Sequence, residues 1–379
     1  MSKMRKQYLD NIRWITIILV VIFHIFFYYN NIGIDAMFDG LPAYGGAITF
    51  GGIFQYGVYP WFMLLLFVVG GMSAKYALEK KNSKQFMRAR VDKLLVPSTL
   101  GVLAFGWIGG YIIYIHNAKP TMPEGTPGFV GAIIALCSGI GALWFCHVMF
   151  VAVLVLLLVR VIIKACKSSD TRVAGWFAEK VASVIWCIVI AAALYLILWG
   201  GSHILNMPLI TSYRNGIYIP AFLMGYYIFS NEQVIERLKK SCLLLLLGAL
   251  ASGIFYIYRC YGLAYSDVQV LSRWDLNLYA FFMVLFVLGA GARFLDWSTT
   301  FSDYMKKCCF GIYVLHIPVL LVTNYLLVGT GLPMPVIYVI ELASALVVSI
   351  LLYELIRRIP VLRYWILGVR GKKNTATLS

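Results

Sequence analysis

The chain has 379 residues, of which 61% are hydrophobic, 15% aromatic and only 13% charged. A soluble domain carries about 25% charged residues, so a water-soluble globule and a disordered chain are both excluded. The 32 Lys and Arg outnumber the 16 Asp and Glu, giving a formal charge of +16; in so apolar a chain this surplus reads as cytoplasmic loop charge, not as a nucleic-acid surface.

A bilayer crossing needs about 20 apolar residues, and ten such runs follow one another: 12–30, 53–76, 94–116, 130–165, 181–201, 214–230, 241–260, 275–295, 307–328 and 334–356. The basic start at Lys3, Arg5 and Lys6 resembles a signal peptide, but no small-residue cleavage site follows and Arg13 and His24 interrupt the apolar run. It is therefore read as a retained first helix. The fourth run is too long for one span. Gly139 and Gly141 are expected to break it, leaving 143–165 as the crossing. The sixth run is short and is expected to be tilted or irregular.

With the N-terminus inside and strict alternation, twenty-eight basic residues fall on the inner side; outside lie only Lys119, Arg214, Arg259 and Arg273. This sorting predicts an all-α, polytopic membrane protein of about ten helices with both termini cytoplasmic. Residues 1–379 form one membrane-embedded domain in this reading, with cytoplasmic tails at 1–11 and 366–379. Outer loops at 31–52, with Asp35 and Asp39, and at 201–213, with His203 and Asn206, would line a mouth. The eight cysteines show no CxxC and no zinc spacing, so no metal and no disulfide is expected. No internal repeat is visible.

Ionisable groups at bilayer depth are costly, and each is a functional candidate. His24 lies twelve residues into the first helix, about 18 Å deep at 1.5 Å per residue. Arg13 lies eleven residues earlier. Eleven steps of about 100° return to within roughly 20° of the same face, and Asp10 sits on that face three residues before Arg13. His316 lies at comparable depth in the ninth helix. His147, after Trp144, and Glu341 lie toward the outer ends of the fourth and tenth. Each could simply bond a neighbouring helix; the shared face of Asp10, Arg13 and His24 favours chemistry there.

The stretch YLDNIRWITIILVVIFH (8–24) resembles the opening helix of the membrane-bound acyltransferase-3 family, which reads LDxLRGIAxxxVxxxH. PWFMLLLFVVGGMSAKYALEKKNSKQFMRARVDKLLVP (60–97) is similar to that family's second block, an SGF-type helix followed by a basic RxxRxxxP segment. ALWFCHVMF (142–150) and FGIYVLHIP (310–318) resemble its LWFL and IYLxHxP blocks. The four blocks occur in family order over about 310 residues. The chain departs from the pattern in Trp14 after Arg13, in the displaced Ser73, and in Lys93 where the second basic residue is Arg.

The resemblance implies acyl transfer from a cytoplasmic acyl-CoA, acetyl-CoA by default, to a hydroxyl of a glycan or glycolipid acceptor. It implies His24 as base or acyl carrier, oriented Arg13 and Asp10 beside it, and His316 assisting from the ninth helix. Arg88, Arg90 and Lys93 would hold the phosphates of CoA. Trp144, His147 and Glu341 would meet the acceptor. The expected setting is a bacterial cytoplasmic membrane, with the lipid bilayer and the two substrates as partners, no nucleic acid, and an open oligomeric state. The competing reading is a secondary transporter of a small acidic solute, with His24, His316 and Glu341 as a proton relay.

Overall fold

Runs of apolar residues with no water to bond their backbone must close their own hydrogen bonds, and helices do so within one segment. The computed structural model describes residues 6–31, 44–45, 49–115, 119–204, 214–327 and 329–370. Among them the only extended ladder is a two-residue pairing of Asn30–Asn31 with Tyr44–Gly45. Asp35, Asp39 and Asn206 of the expected outer loops lie outside the described residues.

The expected runs appear as α1 (Gln7–Tyr29), α2 (Phe50–Leu78), α3 (Ser83–Ile113), α4 (Gly141–Ala165), α5 (Val184–Gly201), α6 (Asn215–Met224), α7 (Cys242–Cys260), α8 (Trp274–Phe294), α9 (Thr300–Leu327) and α10 (Met334–Ile356). Nine of these are long and apolar enough to cross a membrane. The exception is α6, ten residues that continue as a wide π-type turn over Gly225–Phe229. Pro220 inside it removes one backbone donor, and helix plus turn span about 22 Å, short of the hydrocarbon thickness. The fourth run breaks where its glycines stand: Gly128–Ser138 is a separate helix, and Gly141 takes a positive φ of 46° just before Trp144.

The chain forms two compact units. One comprises Met1–Met37, Pro42–Phe86 and Val151–Lys307; the other comprises Phe38–Leu41, Met87–Phe150 and Cys308–Ser379.

The first unit is centred on α6, whose backbone meets its neighbours directly. A Cβ added at Gly71 of α2 would lie 1.9 Å from the Phe222 carbonyl oxygen, and one at Gly201 of α5 would lie 2.0 Å from that of Gly216. Small residues let membrane helices approach this closely when no hydrophobic effect drives them together. Gly71→Val is therefore expected to abolish accumulation of folded protein. Gly57→Ala is the control, because its Cβ would meet nothing closer than the Tyr279 hydroxyl at 3.9 Å. Melting temperatures of the two purified variants check this; a wild-type transition in Gly71→Val would refute the packing.

Within the second unit the C-terminal helix Pro360–Leu367 stops at Gly368, which has a φ of 61°. It is tied to α3. Asp92 accepts a two-pronged pair from Arg370 at 2.7 and 2.8 Å and a further bond from the Tyr364 hydroxyl at 3.2 Å. Residues 366–370 are thus packed, with Ile366 and Leu367 buried.

Candidate active site

The first turns of α1 carry the polar cluster. Arg13 donates to Asp10 at 3.0 Å, the i,i+3 pair expected on one helix face. Its other terminal nitrogen donates to the Ser73 hydroxyl of α2 at 2.8 Å. Arg13 is partly exposed and Asp10 mostly buried. The displaced serine of the second sequence block therefore still has a role: it fixes the fork of Arg13. At the same end, a cleft of about 920 Å³ opens between Gln7, Lys75, Tyr76 and Asp296.

Eleven residues along the same helix stands His24. Its Nδ1 lies 2.7 Å from the Val20 carbonyl oxygen. A carbonyl only accepts, so the proton is on Nδ1 and the lone pair on Nε2. The ring is half-buried and meets Phe23 edge-on at 5.4 Å. Phe27 and Tyr28 stand at 6.3 and 6.5 Å. A neutral imidazole with its Nδ1 proton held by its own helix is oriented to take a second proton at Nε2.

The second unit holds the other expected residues. Arg88 is exposed and Arg90 half-buried at the end of the helix Ser83–Arg90. The Lys93 ammonium donates to the Leu367 carbonyl at 3.2 Å and lies 5.8 Å above the Phe310 ring, so part of its donor capacity is spent on the C-terminal helix. His316 is completely buried, with Nδ1 at 2.7 Å from the Tyr313 carbonyl and 3.2 Å from that of Ile312. It carries the same tautomer as His24 for the same reason. His147 Nε2 donates to the Ser98 carbonyl at 3.2 Å. Trp144 is half-buried and edge-on to Phe145 at 6.4 Å. Glu341 is fully buried in α10.

The structure therefore brings Asp10, Arg13 and Ser73 into one hydrogen-bonded cluster on the helix that bears His24. Arg88, Arg90, Lys93, Trp144, His147, His316 and Glu341 belong to the other unit. Among the described residues no group of three or more His, Cys, Asp or Glu could hold a metal ion, and all eight cysteines are free.

A family model described as an acyltransferase domain matches residues 6–354. The chain belongs to the acyltransferase-3 family. That match takes in the Asp10 cluster, His24, the basic segment of α3, α9 and all but the last two residues of α10. It makes the chain a multi-pass membrane acyltransferase. No curated protein and no solved structure matches it.

Sequence reasoning had no means of pairing Ser73 with Arg13, because that contact joins two helices sixty residues apart. The only sequence signal was Gly70-Gly71 just before it, which marks a face on which another helix can close up.

Proposed function

We propose that this protein moves an acyl group, acetyl by family default, from a cytoplasmic acyl-CoA to a hydroxyl of a carbohydrate or other cell-envelope acceptor. The observation that carries the reading is the Nδ1-protonated imidazole of His24 on the helix that bears the Asp10–Arg13–Ser73 cluster. Its Nε2 lone pair takes the proton of the acceptor hydroxyl as the oxygen attacks the thioester carbonyl. The tetrahedral adduct expels the CoA thiolate, which takes the proton back from the imidazolium. The products are an ester and free CoA.

Asp10 and Ser73 act as positioning residues that fix the guanidinium of Arg13. Arg88 and Arg90, with the remaining donors of Lys93, are phosphate contacts of the donor; arginine meets phosphate with two parallel bonds. His316 is the assisting histidine. Trp144, His147 and Glu341 serve the acceptor. The membrane is the bacterial cytoplasmic one, with both termini on the donor side, a topology supported by the 28 basic residues that sort to that side.

Purified protein given labelled acetyl-CoA tests the reading. Consumption of thioester with release of free CoA, increased by a hydroxyl acceptor, is the expected result. No thioester consumption, together with counterflow of an acidic solute in vesicles, would replace the enzyme by a transporter.

A further inference from the structure

The first unit carries an apolar groove of about 550 Å³ between α5, α7 and α8. Buried Phe281 and Leu285 of α8 form its bottom, and exposed Val184 and Ile188 of α5 face exposed Leu244 of α7 across it. All of these helices are long and apolar enough to cross a membrane, so the groove opens on hydrocarbon. A void beside packed side chains forfeits their dispersion contacts, and at that depth acyl chains are the material at hand to fill it. Among the residues that line the groove only Arg237 is charged.

Arg237 sits at one end. It lies in the last turn of the helix Glu232–Lys240, which buries Val234, Ile235 and Leu238. A second hollow of about 400 Å³ adjoins the groove there and shares Val181 and Arg237 with it; Lys240, Glu232 and Glu236 also line this hollow. Both carboxylates already hold cations: Glu232 pairs with Lys6 at 2.6 Å and Glu236 with Lys239 at 2.7 Å. With those pairs balanced, Arg237 and Lys240 leave the mouth positive.

The aromatic residues nearby set the depth. Trp186, in the first turn of α5, is exposed, stands edge-on to exposed Trp176 at 6.3 Å and lies 5.4 Å beneath the Lys180 ammonium. Tryptophan and lysine gather at the headgroup level of a bilayer. From Val184 to Tyr195, the stretch of α5 that lines the groove, is eleven residues, or about 16 Å of helix. One leaflet of a hydrocarbon core about 30 Å thick is about 15 Å deep. The groove therefore runs from headgroup level to mid-membrane.

We propose that this groove is a binding site for an anionic phospholipid of the cytoplasmic leaflet, one acyl chain lying along α5 and the phosphate meeting Arg237 and Lys240 in the adjoining hollow. The leaflet follows from the proposed topology, and the site does not depend on the acyl-transfer reading. Arginine suits phosphate because its fork donates two parallel bonds. A second copy of this chain fits less well, since at +16 it brings cations and not anions to Arg237.

Native mass spectrometry of the full chain in detergent, with phosphatidylglycerol or phosphatidylcholine of identical chains, tests the site. Preferential retention of phosphatidylglycerol is expected, with a melting temperature that rises with its concentration and does not rise with glycerol 1-phosphate, which lacks the chains. In Arg237→Gln the preference for phosphatidylglycerol should fall about five- to tenfold, the range for one cation at a membrane surface or in a charge-assisted bond. In Ala191→Trp, which places a large ring on the half-buried wall of the groove, binding of both lipids should weaken. Equal retention of the two lipids by the wild type, an unchanged preference in Arg237→Gln, or unchanged binding in Ala191→Trp would each overturn the assignment. Stabilisation by glycerol 1-phosphate alone would make the mouth a free-phosphate site, and a dimer disrupted by Ala191→Trp would give the groove to a second copy; both also overturn it. Should either variant fail to fold, the other decides alone.

Discussion

Replacing His24 by alanine is expected to abolish acyl transfer while the protein stays folded. Loss of a general base typically costs 10²–10⁴-fold in rate, and loss of an obligatory acyl carrier costs more. Folding has much less at stake. The bond from the imidazole to the Val20 carbonyl and its edge-on contact with Phe23 are worth about 0.6–2 kcal/mol in a membrane bundle. Turnover per folded molecule and melting temperature, measured together, separate the two roles. A variant with full turnover and a lowered melting temperature would leave His24 as a packing residue and remove it from the mechanism. Asp10 and Ser73 should behave differently, because they touch Arg13 and not the imidazole.

Arg90→Ala is expected to weaken acyl-CoA binding about ten- to a hundredfold, the loss of one charge-assisted phosphate contact, with little change in melting temperature. Arg90 is only half-buried at the end of the helix Ser83–Arg90, so its removal opens no deep cavity. Lys93→Ala provides the contrast. It removes the bond to the Leu367 carbonyl and the contact with Phe310, so part of its effect should appear as lowered stability of the C-terminal helix. A titration with CoA decides the matter. Unchanged affinity in Arg90→Ala would mean that the basic run only sets topology.

The spans were legible because hydrocarbon thickness imposes one long apolar run per crossing, and nine of ten runs met it. The break at Gly139 and Gly141 was legible for a local reason: Gly141 takes a backbone conformation that side chains disfavour. The shortness of α6 was visible, but not its place against Gly71 and Gly201, since that depends on which glycine faces which carbonyl. At the site, the Asp10–Arg13 pair followed from helical spacing alone. Ser73 did not, because it acquires its meaning from Arg13 on another helix. Lys93 read as a free basic group, and its bond to the Leu367 carbonyl joins positions 274 residues apart.

The hydrogen bond from His24 to Val20 also bears on whether protons can leak along the chain. A membrane that stores an electrochemical gradient cannot tolerate a wire of exchangeable hydrogens through its middle. An imidazole conducts along such a wire by receiving at one nitrogen and releasing from the other. In His24 and His316 alike, Nδ1 is committed to a carbonyl of the same helix, and a carbonyl oxygen accepts a hydrogen bond but does not relay a proton. Proton exchange at either ring is thereby directed to Nε2, on one side of the imidazole. If His24 is the base of the proposed transfer, its proton traffic would then leave any gradient across the membrane intact.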